Sequence, residues 1–170
     1  SEYLPEAWLR DQKLNSLHEG TTGIQALDLL GRKAMGQGGA ALRSWAAVVS
    51  ADVASARVSG VEPELCDALG AAVAALVQTV MQLGQRGAGG DVEGMLASAT
   101  DFLTACSITA VGWQWLRMMA AAGEREGAYF EGLRAAGRYW FEAEVPRVVQ
   151  LAELCRKERR SYQGLSADAF

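Results

Sequence analysis

Apolar residues in this chain recur every three or four positions through four long stretches, a spacing that builds one face of a helix and excludes one face of a strand. Leu96, Ala99, Leu103, Cys106, Ala110 and Trp113 step alternately by three and four, the pattern of a seam between packed helices. Leu65, Leu69, Ala72, Leu76, Val80 and Leu83 align in the same way over 63–84, and Leu42, Trp45, Val49, Val53 and Ala56 over 40–58. The third stretch covers 92–122. The fourth, 128–159, carries Phe130, Leu133, Gly137, Trp140 and Phe141, with Pro146 inside it. Proline lacks an N–H and clashes with the preceding turn, so this stretch is expected to kink or split there.

The connections are short. Ser59-Gly60-Val61 precedes Pro63 at a helix start, Gly84 to Gly90 reads as a flexible loop with Asp91 as the next N-cap, and Gly123 to Gly127 forms another turn. No stretch alternates with period two. Half of the 170 residues are hydrophobic, enough for a real core. The expectation is an all-α fold, an up-down four-helix bundle preceded by two shorter helices at 5–14 and 22–35. Gly36-Gln37-Gly38-Gly39 stops the second of these and is the expected hinge between a region 1–36 and a bundle 37–160. Residues 161–170 read as a weakly structured tail.

Charge and rare residues exclude several classes of function. A net charge of −4 leaves no basic excess for phosphates, so nucleic acid is not an expected partner. The cluster Arg156 to Arg160 suits a last helical turn opposing the macrodipole. Cys66, Cys106 and Cys155 lie far apart within apolar patterns, and His18 is the single histidine, so no metal site is expected. The thiols read as buried in a reducing compartment, which points to the cytoplasm. The most apolar run, 108–122, is interrupted by Gln114 and Arg117 and is too short to span a bilayer. Trp113, Trp115, Tyr139, Trp140 and Phe141 fit core packing better than a cofactor stack.

One turn carries chemistry. Glu19 precedes Gly20-Thr21-Thr22-Gly23, and a helical pattern follows at once. The glycines admit a tight turn, a threonine hydroxyl can cap the first helical turn, and the N–H groups there favour an anion. The residues alone leave two readings open: a capped turn with a solvated glutamate, or a carboxylate presented to a ligand.

The surrounding residues favour the second. Glu2-Tyr3-Leu4-Pro5-Glu6-Ala7-Trp8-Leu9-Arg10-Asp11-Gln12-Lys13-Leu14, followed by His18-Glu19-Gly20-Thr21, resembles the C-terminal signature of flavin-dependent acyl-CoA dehydrogenases. Gly23 to Lys33 looks like a subgroup with an extra C-terminal helical domain, and Tyr129-Phe130, Arg138 to Phe141 and Val145-Pro146 are similar to that extra domain. Ala7, His18 and Gly23 depart from the family's usual residues at their positions. The resemblance implies that Glu19 is the catalytic base, that Gly20 lies beside the substrate, and that Thr21, Gly23 and Gln25 contact FAD. It implies α,β-dehydrogenation of an acyl-CoA, an electron acceptor, and a homo-oligomer. It also implies that the chain, which opens without Met inside the motif, is part of a longer enzyme and neither active nor able to hold FAD alone. The competing expectation is a non-catalytic helical bundle serving oligomerisation or protein interaction.

Overall fold

A computed structural model describes residues 4–14, 21–157, 161 and 165–169, all of whose regular elements are helical. Helix α1 covers Leu4–Lys13, and α2 covers Thr21–Leu27 and runs directly into a π-helical segment, Asp28–Ala34. Helix α3 is Gly36–Val58, α4 Pro63–Ala88, α5 Val92–Leu96, α6 Ala99–Ala122, α7 Ala128–Ala143 and α8 Arg147–Arg156.

The core lies where α4, α6 and α8 meet, with α3 against both α4 and α6. Leu69, Leu76 and Leu83 of α4, Phe102 and Leu116 of α6, Val49 of α3 and Val148 of α8 are fully buried there. Helix α7 packs chiefly on α6, and α5 on α4. The helices of 63–88 and 92–122 are apolar and long enough to cross a membrane by composition. Leu69, Leu76, Leu83, Phe102 and Leu116 of these helices are buried in the shared core, while Met81 and Met118 are exposed.

Two of the four expected helices are divided. The third breaks at Ala97-Ser98 into α5 and α6, and the fourth at Glu144 to Pro146 into α7 and α8, as the proline requires. Asp91 caps α5, accepting a 3.0 Å hydrogen bond from the Gly94 N–H. The expected loop at 84–90 is corrected: α4 continues to Ala88, leaving Gly89-Gly90 as the turn. Gly87 serves packing there, because a Cβ at that position would lie 2.5 Å from the Met95 sulfur. Half-buried Arg86 then ties the end of α4 to the carbonyls of Gly94 and Arg156, each at 3.2 Å.

On α6 the fully buried stripe is Phe102, Ala105, Thr109, Gly112, Leu116 and Met119. The expected seam through Leu103, Cys106 and Trp113 is half-buried and flanks that core. Because α6 is apolar nearly all round, sequence spacing alone offered two stripes of similar quality. Thr109 enters the core by donating its hydroxyl to the Ala105 carbonyl at 2.8 Å, which satisfies it within its own helix.

The break expected at Gly36 to Gly39 is sharp. Gln37, Gly38 and Gly39 have φ of 50°, 62° and 84°, all left-handed. Glycine takes such values at little cost, whereas Gln37 adopts them against its own preference. Arg43 donates to the Gly38 carbonyl and Gly39 is buried, so the turn is packed on both sides. The core runs across it: Ala26, Leu30 and Ala34 belong to the same cluster as the bundle helices.

Candidate functional site

Glu19 and Gly20 lie outside the described residues; Thr21, Gly23 and Gln25 open α2. This helix is seated on α6 through Ala26, which is fully buried. Gly23 and Gln25 are exposed, and a Cβ placed on Gly23 would meet nothing within 4 Å. Thr21 is half-buried and has an interaction partner. Ile24 and Leu27 are 69% and 46% exposed, so polar and apolar groups share an open surface at the start of α2. Thr21 and Gln25, four residues apart, share one side of α2, and Gly23, two residues from each, lies on the other.

The π-helical segment continues this helix. Its wider turn accommodates Asp28, Arg32 and Lys33 as a charge cluster. The Asp28 carboxylate accepts from Arg32 Nε, and from Arg32 Nη2 at 2.9 Å, while Lys33 Nζ lies 3.4 Å away. These contacts outweigh desolvation and hold the Asp28 carboxyl below the usual range. Such π-helical turns occur often at functional sites. Helical periodicity in the sequence does not distinguish a π turn from an α turn, so this feature was not foreseen.

Between this segment, α3 and α6 lies an apolar cleft of about 260 Å³. Leu29 and Ala34 come from the π segment, Leu42 and Trp45 from α3, and Phe102, Cys106 and Ala110 from α6, with Lys33 at the edge. Burial, with Cys155 nearby, pushes the Cys106 thiol up to about 12, so it stays protonated and behaves as part of an apolar wall. Cys66 is likewise raised by burial. Among the described residues no group of three His, Cys, Asp or Glu side chains is gathered for a metal.

Behind the cleft, Trp45 and Trp113 meet edge to face, their ring centroids 6.5 Å apart. Trp113 Nε1 donates to Asp52 Oδ2 at 2.7 Å, and Arg117 lies 3.5 Å from the same oxygen and 5.5 Å above the Trp113 ring. Arg117, which in sequence only interrupts the apolar run, thus has a specific partner set. The aromatic side chains act here in packing and orientation, as expected of residues at helical spacing.

Comparison with known proteins points in one direction. Residues 40–165 match a family described as acetyl-CoA dehydrogenase C-terminal like. The chain is also 34% identical, over 122 residues, to a 3-methylmercaptopropionyl-CoA dehydrogenase of Ruegeria pomeroyi, an alignment that takes in 69% of the chain and 20% of that relative. The chain therefore corresponds to about one fifth of the curated relative's length.

Proposed function

This chain belongs to the acyl-CoA dehydrogenase C-terminal family, and from that membership we propose that it is the C-terminal part of a flavin-dependent acyl-CoA dehydrogenase, with Glu19 as the base. The carrying observation is the family match over 40–165, downstream of Glu19-Gly20-Thr21 in sequence, with Ala26, Leu30 and Ala34 in the same core as the matched helices. The reaction is abstraction of the acyl α-proton by the Glu19 carboxylate while the β-hydrogen leaves as hydride. A carboxylate in water has a pKa of about 4.3 and is a weak base for that proton. Desolvation by the acyl chain raises it toward the working pH, against the opposing dipole of α2.

FAD fits this chain as one wall. On α2, Thr21 and Gln25 lie one turn apart and supply polar groups on one side of the helix, and exposed Gly23 leaves the opposite side open to close approach. When bound, the flavin supplies hydride acceptance; the remaining contacts to it, and to the CoA ester, belong to the longer parent. Residues 40–156 then seat α2 and the π segment through Ala26 and Leu30 and present helices for subunit association. The parent is proposed to be a cytoplasmic homo-oligomer that hands electrons to a separate acceptor.

Expression of the parent reading frame beside the 170-residue chain tests this. The parent is expected to purify yellow and to be bleached by acyl-CoA substrates, a panel of which includes 3-methylmercaptopropionyl-CoA. The 170-residue chain is expected to be colourless and to release added FAD on dialysis. A flavin-free parent, or tight FAD binding by the short chain, would overturn the reading.

A further inference from the structure

An apolar cleft lies between the π segment, α3 and α6. Its walls are carbon almost throughout, and it opens beside the charge cluster of the π segment. We propose that it binds the alkyl chain of a small carboxylate amphiphile, with Lys33 at the mouth receiving the carboxylate.

Three observations support that ligand class. The first is volume: an apolar cavity of about 150 Å³ already holds benzene, and this cleft offers about 260 Å³, room for a medium-length alkyl chain. The second is wall chemistry. Trp45, Phe102 and Ala110 present no charge, so a polar ligand would be desolvated there without compensation. The third is charge at the mouth. Asp28 is one carboxylate facing two cations, and Arg32 already occupies both of its oxygens. Lys33 is therefore the surplus positive charge, its side chain 61% exposed on a flexible stem. An anionic head group meets that charge while its tail enters the cleft. This inference rests on the cleft alone and stands or falls separately from the role of Glu19.

The test uses the 170-residue chain with octanoate below its micellar concentration and octanol as the uncharged control. Occupancy is read by isothermal titration calorimetry. Octanoate is expected to bind saturably with a single-site isotherm. Lys33→Glu should weaken octanoate by about fivefold, the scale of one exposed ion pair, and leave octanol unchanged. Ala110→Leu, which fills the cleft, should abolish binding of both, with a thermal melt verifying that the variant folds. Absence of saturable octanoate binding by the unaltered chain would overturn the proposal. So would equal octanoate binding by Lys33→Glu, which exchanges no core residue and so keeps the test decisive even if Ala110→Leu fails to fold.

Discussion

Residues 4–34 and residues 40–156 are both helical, yet they dispose of their apolar side chains in opposite ways. In the second region Leu69, Leu76, Leu83, Phe102 and Leu116 are almost completely buried. In the first, Trp8, Leu9 and Leu14 are 60%, 73% and 54% exposed, and Ile24 and Leu27 of α2 are also open. Among the described residues of this region, Ala26, Leu30 and Ala34 join the common core and half-buried Leu29 packs against it. The two regions teach that helical spacing and core membership are separate properties. A region that forms regular helices while leaving its large side chains in water carries surface suited to a partner. In the proposed parent that partner is the body of the dehydrogenase, and Ala26, Leu30 and Ala34 are the described residues that hold the region to the core.

The comparison breaks most visibly on the core side. Phe102→Ala removes a fully buried ring from α6, and urea unfolding is expected to show a loss of about 3–5 kcal/mol. Leu30→Ala is the next largest and sharpens the boundary. Leu30 belongs to the N-terminal region yet is fully buried, so its truncation should cost about 2–5 kcal/mol. A loss below 1 kcal/mol, on the scale of surface substitutions, would detach residues 21–34 from the core and make the division between the regions complete.

A smaller effect is expected where α7 meets the turn between α3 and α4. Arg138 Nε donates to Glu62 Oε1 at 2.6 Å. Burial raises the Glu62 carboxyl, but its own backbone N–H and Arg138 more than offset this and leave it below its ordinary value of 4.5. A folded-state value below the unfolded one means the unfolded state takes up protons first as pH falls. The contribution is therefore complete above that ordinary value and is lost as pH drops through the lowered one. Arg138→Ala should cost about 0.2–1 kcal/mol at neutral pH and flatten the acid limb of the stability profile. An unchanged limb would show that the pair contributes nothing.

The smallest effect belongs to the open surface. Ile24→Ser should alter stability by no more than about 0.5 kcal/mol. A pair of exposed changes on α1, Trp8→Glu and Leu9→Lys, should leave the melting temperature unchanged while shifting sedimentation toward monomer, because exposed apolar surface drives association. A self-association unaffected by them would place the contact elsewhere.

Much of this was legible from residue order. The stripe Leu69 to Leu83 on α4 is buried as its spacing requires, and Pro146 divides α7 from α8 for the reason any proline divides a helix. Two features escaped for physical causes. The helical pattern at Leu27, Leu30 and Ala34 is the same whether the turn is α or π, so the widened turn that gathers Asp28, Arg32 and Lys33 was invisible. Gly87 looked like part of a loop because composition does not show that a neighbour, Met95, needs the space of a missing side chain. At the candidate site, Thr21, Gly23 and Gln25 could be picked out by resemblance, whereas the cleft and the Asp52–Trp113–Arg117 cluster depend on long-range contacts between α3 and α6 that no local pattern encodes.

The central claim is that the N-terminal region holds the chemistry and the bundle holds the region. Glu19→Gln in the parent enzyme tests it most directly, since it keeps the size of the side chain and removes only the basic carboxylate. Single-turnover flavin reduction by acyl-CoA is expected to slow by at least about 10²–10⁴-fold, the usual loss for a general base, while acyl-CoA binding and the melting temperature stay near those of the unaltered enzyme. A folded Glu19→Gln enzyme that reduces its flavin at the original rate would contradict the assignment of Glu19 and, with it, the function proposed for this chain.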